Sequence, residues 1–239
     1  MNNKKIIVTG ATSGIGRTTA QLLASLGAEV VAIGRQRDQL ALLQEESGCT
    51  PLALDVTDSA AMQAALAGVR GVDGLVNCSG IALLESSLDL DPDNFDRVMA
   101  VNARSAALMS RHVAQKMIAE KRQGSIVNVS SQASLVALEN HLAYCASKAA
   151  LDAITRVMCL ELGPHGIRVN SVNPTVTLTP MAVQAWSDPA KSGPMLEAIP
   201  LRRFATPEDV ARPIVFLLGD GAAMISGVSL AIDGGYTAR

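Results

Sequence analysis

The chain has 239 residues, of which 49% are hydrophobic, and its formal net charge at pH 7 is −2. This length suffices for one large core, and we predict a single domain over residues 1–239. Because no block of basic residues is present, nucleic acid and anionic membranes are not expected partners. The N-terminus does not resemble a signal peptide and no apolar run is long enough to span a bilayer, which predicts a cytoplasmic protein. The 4 cysteines lack the spacing of a metal site, so no metal is predicted.

Short β-branched runs alternate with longer amphipathic patterns along the chain. The predicted strands are residues 6–8, 30–33, 51–54, 74–76, 126–129, 169–172 and 228–232. The predicted helices are residues 17–26, 37–46, 59–67, 95–120, 142–162 and 207–217. This alternation predicts an α/β fold, a Rossmann-type doubly wound sheet of seven parallel strands with helices on both faces.

Residues 173–205 form the one long stretch without a regular pattern, and they contain five prolines and the only tryptophan. Irregular segments of this length inside compact domains usually cover or line a binding site. We therefore predict a substrate lid at about residues 175–205.

A glycine-rich turn follows the first predicted strand and opens a helix, with the sequence Thr9-Gly10-Ala11-Thr12-Ser13-Gly14-Ile15-Gly16. Glycines let the backbone approach a pyrophosphate, whose charge then lies against the N–H groups at the start of the helix. The candidate phosphate-binding residues are Gly10, Thr12, Ser13, Gly14, Ile15 and Gly16.

Gly34 and Arg35 end the second predicted strand, where an acidic residue would hold the ribose 2′-hydroxyl of NAD. A guanidinium binds a 2′-phosphate through charge-assisted hydrogen bonds, whereas an acid repels it. The coenzyme predicted here is NADPH/NADP+, with NAD the less favoured alternative. The competing interpretation is that Arg35 is a solvated surface charge.

Tyr144 and Lys148 are four residues apart in a predicted helix, so they share a face. A phenol exchanges protons poorly at neutral pH, and a nearby cation favours its ionised form. Ser130 and Ser131 stand at the end of the fifth predicted strand, where a hydroxyl can donate to an oxygen that gains negative charge. The alternative is an ordinary helix pair beside a serine turn.

These motifs, in this order, resemble the short-chain dehydrogenase/reductase family over residues 5–235. The resemblance implies a catalytic set of Asn102, Ser131, Tyr144 and Lys148. It also implies that Asp55 contacts the adenine and that Thr179 holds the nicotinamide carboxamide. Asn173-Pro174-Thr175 lacks the glycine of the family's PG motif. The further coenzyme contacts implied are Val56, Asn77, Gly80, Tyr144, Lys148, Pro174, Val176 and Thr177.

A narrower resemblance, carried by residues 130–132, 140–141, 173–176, 186–189 and 195–201, is to the L-xylulose reductase (dicarbonyl reductase) branch. That branch implies NADPH, homotetramers and a small ketose or α-dicarbonyl substrate. Gln132, His141 and Trp186, together with Ser131, fall where the branch lines its substrate pocket. An amide and an imidazole can satisfy the hydroxyls of a short polyol.

The expected reaction is hydride transfer to a carbonyl carbon, with Tyr144 donating the proton and Ser131 stabilising the oxygen. Asn102 either holds a water of the proton relay or bridges two backbone segments. The alternatives are a 3-oxoacyl-carrier-protein reductase with Lys116, Lys121 and Arg122 as its basic surface, an NAD-dependent polyol dehydrogenase, and a coenzyme-binding regulator without activity.

Overall fold

One parallel sheet of seven strands, in the order β3-β2-β1-β4-β5-β6-β7, organises the molecule. The computed structural model describes residues 1–238, apart from the side chains of Met181, Gln184 and Ala185. The strands are β1 (Lys5–Thr9), β2 (Glu29–Gly34), β3 (Thr50–Ala53), β4 (Val72–Asn77), β5 (Gly124–Val129), β6 (Ile167–Pro174) and β7 (Ser229–Ile232). The predicted α/β class, strand number and parallel arrangement are confirmed.

The helices lie between the strands. They are α1 (Gly14–Ser25), α2 (Arg37–Ser47), α3 (Ser59–Ala67), α4 (Pro92–Met99), α5 (Ser105–Ala119), α6 (Leu142–Leu162), α7 (Pro180–Ala185), α8 (Pro189–Ala198) and α9 (Pro207–Leu218). Within residues 1–238, no helix combines the length and apolar character needed to cross a bilayer.

Neighbouring side chains of each central strand enter different apolar clusters, one on each face of the sheet. Ile6 of β1 packs in a cluster with Leu23 of α1 and Ile214 of α9. Ile7, the next residue, packs with Met109 of α5 in the second cluster. Because both faces are covered, the central strands are almost continuously apolar, as parallel sheets require.

The prediction of one continuous helix over residues 95–120 is wrong. The helical segment begins at Pro92, after an N-cap in which Asp91 accepts from the Asp93 and Asn94 backbone N–H groups at 2.8 and 3.2 Å. A π-helical turn (Ala100–Arg104) then separates α4 from α5. A π turn inserts one residue into the helical ladder and has no compositional signature that periodicity could detect.

The prediction that residues 173–205 are irregular is also wrong in part, because β6 extends through Pro174 and two helices follow it. Pro180 and Pro189 each open one of these helices. At the first helical position the missing proline N–H costs nothing, so these prolines start helices rather than break them. The ends of the segment meet in an isolated parallel bridge between Thr177 and Ala205.

The strand order reverses beside β1, which pairs with β2 on one side and β4 on the other. In open parallel sheets, ligands bind outside the carboxyl ends of the strands at such a reversal. The turns after β1 and β4, and those after β5 and β6, therefore converge on one edge of the sheet.

Candidate active site

The glycine-rich turn after β1 has no room for side chains at two of its glycines. Gly10 has φ of +66°, and a Cβ there would lie 2.9 Å from the backbone of Cys78. A Cβ at Gly16 would lie 2.2 Å from the Gly10 carbonyl oxygen. The Thr9 hydroxyl accepts from the backbone N–H groups of Cys78 and Ser79 at 3.0 and 3.2 Å, which joins this turn to the one after β4.

The start of α1 offers the polar groups that a pyrophosphate needs. Ser13 is the N-cap but its side chain makes no capping hydrogen bond, and the first turn contains no acidic residue. The N–H groups at this end of α1 therefore have no side-chain cap, which fits an anion. Gly14, with φ of +50°, would place a Cβ 2.7 Å from Cγ2 of Thr179, so residues 175–205 reach the glycine-rich turn.

The ends of β2 and β3 form the predicted ribose and adenine region. Arg35 is exposed. Asp55 accepts from the Thr57 N–H and hydroxyl at 2.9 and 2.7 Å. These two hydrogen bonds, with a smaller contribution from Arg35, lower the pKa of Asp55. Val56, beside it, is 9% exposed. Arg35 and Asp55 thus lie close enough for the Arg35 charge to act on the Asp55 carboxylate.

Tyr144 and Lys148 share a face of α6, as predicted. The Lys148 ammonium lies 5.6 Å from the centre of the Tyr144 ring and donates to the Val129 carbonyl at 2.8 Å. Lys148 is only 4% exposed. A Cβ at Gly80 would lie 3.5 Å from Lys148 Nζ, which places the turn after β4 at the same point.

Asn102 lies in the π turn and is 1% exposed. Its Oδ1 accepts from the Ile81 N–H at 2.8 Å, and its Nδ2 donates to the Ile81 carbonyl at 2.9 Å and to the Ser147 hydroxyl at 2.9 Å. The side chain therefore bridges two backbone segments beside Lys148. Of the two predicted roles for Asn102, the structure shows the bridge directly.

Ser131 follows β5 and is 7% exposed, and its hydroxyl accepts from the Ala133 N–H at 3.1 Å. The preceding Ser130 donates to the Lys148 carbonyl at 3.2 Å, which joins this turn to α6. Gln132 is 2% exposed, and its Oε1 is a buried acceptor without a partner among the described residues. An unsatisfied amide oxygen beside Ser131 is consistent with a contact to a hydroxylated substrate.

His141 and Trp186 differ in how the structure places them. The His141 ring lies 6.1 Å from the Tyr144 ring in an edge-on arrangement, and its Nδ1 is 2.5 Å from the Glu139 carbonyl. Trp186 packs against Phe204 at 5.5 Å, and the Lys191 ammonium lies 4.8 Å from its ring. The structure thus brings His141 to Tyr144, whereas the ring contacts of Trp186 are with its own segment.

Asn77 is 3% exposed, and its Nδ2 donates to Ser110 Oγ and Asn128 Oδ1 at 2.9 and 2.8 Å. Its side chain thus joins β4 to β5 and α5, so a coenzyme contact here would come from the backbone. Thr177 donates to the Thr175 carbonyl at 3.0 Å and follows Pro174 and Val176 at the carboxyl end of β6.

The reactive groups of the site are hydroxyl, ammonium and amide groups rather than thiols. Burial raises the pKa of the Cys78 thiol to about 12, against a smaller opposite effect of Lys148.

A cavity of about 560 Å³ lies between Thr175, Pro200 and Ile232. None of the predicted catalytic residues lines that cavity. We therefore assign the site from side-chain geometry rather than from cavity volume.

Three residues that the sequence reasoning did not include in the site lie directly behind Ser131. Asp152 is 3% exposed and accepts from the Ser134 hydroxyl and from Asn173 Nδ2 at 2.6 and 2.8 Å. Both donors also reach the Ser131 carbonyl. The available signal was the spacing of Asp152, which follows Lys148 by one helical turn on the same apolar face.

The fold and this site define a nicotinamide-dependent oxidoreductase with a serine, tyrosine and lysine set. A family model described as enoyl-(acyl carrier protein) reductase matches residues 10–237. L-xylulose reductase of Mus musculus is 48% identical over 236 residues, covering 98% of this chain and 97% of that protein. Carbonyl reductase (NADPH) 2 of Sus scrofa is 46% identical over 235 residues, covering 98% and 96%.

Among solved structures, a Beutenbergia cavernae protein assigned as an NAD(P)-dependent gluconate 5-dehydrogenase, with NADP bound at low occupancy, superposes with a TM-score of 0.94. It is 32% identical, and the match covers 100% of this chain and 98% of that one. The chain belongs to the short-chain dehydrogenase/reductase family.

Proposed function

We propose that this protein is an NADPH-dependent reductase of a small ketose or α-dicarbonyl, similar to L-xylulose reductase. The observation that carries the proposal is the Lys148 ammonium, buried between the Val129 carbonyl and the Tyr144 ring at the edge of the sheet that also holds the glycine-rich turn. Similarity to L-xylulose and carbonyl reductases over 98% of the chain supports the substrate class.

In this mechanism the coenzyme, when bound, supplies the hydride, and the protein supplies position and the proton. Tyr144 donates its phenolic proton to the oxygen of the reacting carbonyl. Ser131 donates a hydrogen bond to that oxygen as negative charge develops on it. Lys148 favours the phenolate that Tyr144 leaves behind and is placed to bind ribose hydroxyls. Gln132, His141 and Trp186 are the proposed substrate contacts.

For the coenzyme, we propose NADPH over NADH. Arg35 is exposed beside Asp55, and no hydrogen bond within residues 1–238 occupies its guanidinium. A free guanidinium at the ribose end of the site favours a 2′-phosphate. The Sus scrofa relative is named for NADPH, and the Beutenbergia cavernae structure contains NADP.

A 3-oxoacyl-carrier-protein reductase remains the second candidate, because the matching family model is named for an acyl carrier protein enzyme. The basic residues that would have to meet an acidic carrier lie elsewhere. Arg122 pairs with Asp73 at the amino-terminal end of β4, opposite the edge that carries Tyr144. Lys116 donates to the Ala67 carbonyl at 3.4 Å, at the same end of the molecule. This geometry favours a small free substrate.

The test is a steady-state comparison of L-xylulose, diacetyl and an acetoacetyl thioester, each with NADPH and with NADH. We expect turnover of L-xylulose or diacetyl with NADPH to exceed that of the thioester. Preferential reduction of the thioester would favour the carrier-protein reductase instead. Absence of turnover with every carbonyl, in a preparation that binds NADPH, would favour the regulator without activity.

For assembly and location, we propose a homotetramer in the cytoplasm. The support is the exposed apolar side chains on α6 and α9, which include Leu160 at 78% and Phe216 at 49% exposure. Closed symmetric homo-oligomers are the usual way of covering such surfaces.

A further inference from the structure

Asp152 is a buried carboxylate without a cationic partner. It lies on α6, four residues beyond Lys148, but the Lys148 ammonium is bound to the Val129 carbonyl instead. None of the ion pairs formed within residues 1–238 includes Asp152. Among the described residues, its Oδ1 is buried without a partner, and only Oδ2 is hydrogen-bonded. Such a group is costly to bury, and its presence calls for a reason other than stability.

The partners of Oδ2 supply that reason, because each of them also contacts the backbone of Ser131. Ser134 Oγ lies 2.6 Å from Asp152 Oδ2 and 2.8 Å from the Ser131 carbonyl. Asn173 Nδ2 lies 2.8 Å from Asp152 Oδ2 and 3.1 Å from the same carbonyl. Two side chains on different elements thus connect one carboxylate to one peptide group.

Counting hydrogens shows what the carboxylate does in this cluster. Ser134 has one hydroxyl hydrogen and Asn173 has two amide hydrogens. Hydrogen bonds to a charged acceptor are the stronger ones, so Asp152 takes the Ser134 hydrogen and one Asn173 hydrogen. The second Asn173 hydrogen then points to the Ser131 carbonyl. Asn173 Oδ1 faces the Ser171 hydroxyl at 3.4 Å, which sets the orientation of the amide.

We propose that Asp152 and Asn173 are positioning residues for Ser131. In this proposal they act on the Ser131 peptide and not on the substrate. They hold that peptide so that the Ser131 hydroxyl, which accepts from the Ala133 N–H, faces the reacting carbonyl oxygen. The inference rests on the proposed function, because it presupposes that Ser131 stabilises that oxygen.

The test compares two substitutions of Asp152, one that removes the hydrogen-bond acceptor and one that keeps it. Asp152→Leu replaces the carboxylate by an apolar group of similar size and leaves the Ser134 hydroxyl and one Asn173 N–H without their acceptor. We expect kcat to fall on the order of ten- to a hundredfold, as for small misplacements of a reacting group. The KM and the Kd for NADPH should stay within about twofold of wild type. Because unpaired buried donors lower stability, kcat is compared at equal concentrations of folded protein.

Asp152→Asn provides the rescue, because its amide oxygen can accept at the Oδ2 position. We expect it to restore most of kcat. Ser125→Ala is the matched control, since it removes a buried hydroxyl that donates to the Leu217 carbonyl at 2.9 Å, far from the site, and it should leave kcat unchanged. An unchanged kcat in Asp152→Leu, or a loss of kcat only in proportion to a loss of folded protein, would overturn the proposal.

Amide hydrogen exchange over residues 130–136 gives a readout that needs no activity. The Ser134 N–H donates to the Ser131 carbonyl at 3.0 Å, and its protection should fall in Asp152→Leu and persist in Asp152→Asn and Ser125→Ala. If the wild type reduced no carbonyl, the proposed function would fail while the exchange data still decided whether Asp152 holds Ser131. Unchanged protection in Asp152→Leu would overturn the positioning role.

Discussion

Tyr144 carries the proton in the proposed reaction through a single hydroxyl group, and Tyr144→Phe removes only that group. The ring remains available to His141 and to the Lys148 ammonium. We expect kcat to fall by at least about 10² to 10⁴, the usual range for loss of a general acid. The Kd for NADPH, measured by fluorescence titration, should remain close to that of the wild type.

Tyr236→Phe is the matched control, because it removes the hydroxyl of the other tyrosine, in the C-terminal turn Tyr236–Ala238. It should retain the wild-type kcat. Near wild-type turnover by Tyr144→Phe with every carbonyl that the parent reduces would show that another group donates the proton.

The coenzyme preference is expected to depend on Arg35. A charge-assisted hydrogen bond contributes about 1.5 to 3 kcal/mol, which corresponds to roughly a tenfold to hundredfold preference for NADPH. Arg35→Ala should raise the KM for NADPH and leave that for NADH almost unchanged. Arg37→Ala is the control, since Arg37 is also exposed and begins α2 two residues later. Equal wild-type kcat/KM values for the two coenzymes would show that Arg35 is an ordinary surface charge.

A substitution of Gly34 by an acid is a poorer test of the same idea. A Cβ at Gly34 would lie 2.4 Å from Cγ2 of Thr12, a residue of the glycine-rich turn. Gly34→Asp would therefore disturb phosphate binding together with ribose recognition, and the two effects could not be separated.

The sequence was enough to predict the residues that carry reactive groups, but not the residues that position them. Tyr144 and Lys148 are recognisable because they occur with the glycine-rich turn, Asn102 and Ser131 in the order of the family's motifs, since the spacing of the pair alone also fits an ordinary helix pair. Asp152 and Asn173 act through contacts that join α6, β6 and the turn after β5, and such contacts exist only after the sheet has formed. Their residue types are common in helices and strand ends, so Asn173 does not stand out in the sequence and Asp152 is marked only by its spacing from Lys148.

At the scale of single elements, the N-terminus of α9 is stabilised by a capping box and by an ion pair. Thr206 and Asp209 form a capping box, and the Asp209 carboxylate also pairs with Arg203, at 2.5 Å. The hydrogen bond from Arg203 and that from the Thr206 N–H lower the pKa of Asp209. We expect Asp209→Asn to lower the free energy of unfolding by up to about 1 kcal/mol at pH 7, because Asn can still accept from the Thr206 N–H but loses the charge that pairs with Arg203.

The sign of the pH dependence follows from that lowered pKa. The stabilisation is fully present above the unfolded-state pKa of about 3.9 and is lost as the pH falls towards the lower folded-state value. Urea titrations at pH 7 and near pH 3, at one protein concentration, should show a smaller difference between wild type and variant in acid. Glu208→Gln is the control, because Glu208 is exposed in the same turn outside the capping box. A difference that stayed constant with pH would exclude the carboxylate as its source.

Apolar periodicity predicted the bounds of two helices correctly. The helices at residues 59–67 and 142–162 were predicted with the bounds that α3 and α6 have. The helix α1 begins three residues before the predicted start, because the glycine-rich turn itself forms its first turn. The helices α7 and α8 were not predicted because residues 173–205 show no regular apolar pattern, although Pro180 and Pro189 stand at first helical positions.

The whole molecule exposes apolar side chains on the outer surfaces of α6, α9 and the segment before β7. Val157, Leu160 and Met224 are 53%, 78% and 97% exposed. The strand β7 ends the sheet, so one of its edges is unpaired within the described chain. Since edges and apolar patches of this kind favour association, we expect light scattering to give about 100 kDa, four copies of 24.9 kDa.

Leu160→Lys tests whether this surface is the contact. We expect it to shift the distribution towards smaller species while the monomer remains folded. Leu26→Lys is the matched control, because Leu26 is 41% exposed at the end of α1 and should leave the mass unchanged. A wild-type mass near 24.9 kDa at micromolar concentration would rule out the assembly.

The π turn over Ala100–Arg104 makes this stretch sensitive to its length. Each helical residue advances by about 100°, so the extra residue rotates everything after it by that angle. Deleting one residue would restore a regular helix, but then Asn102 and the apolar stripe of α5 through Met109, Val113 and Met117 could not both face their present partners. Either the amide would leave Ile81 or the stripe would turn towards water. Relatives that share the site are therefore expected to reject insertions and deletions here.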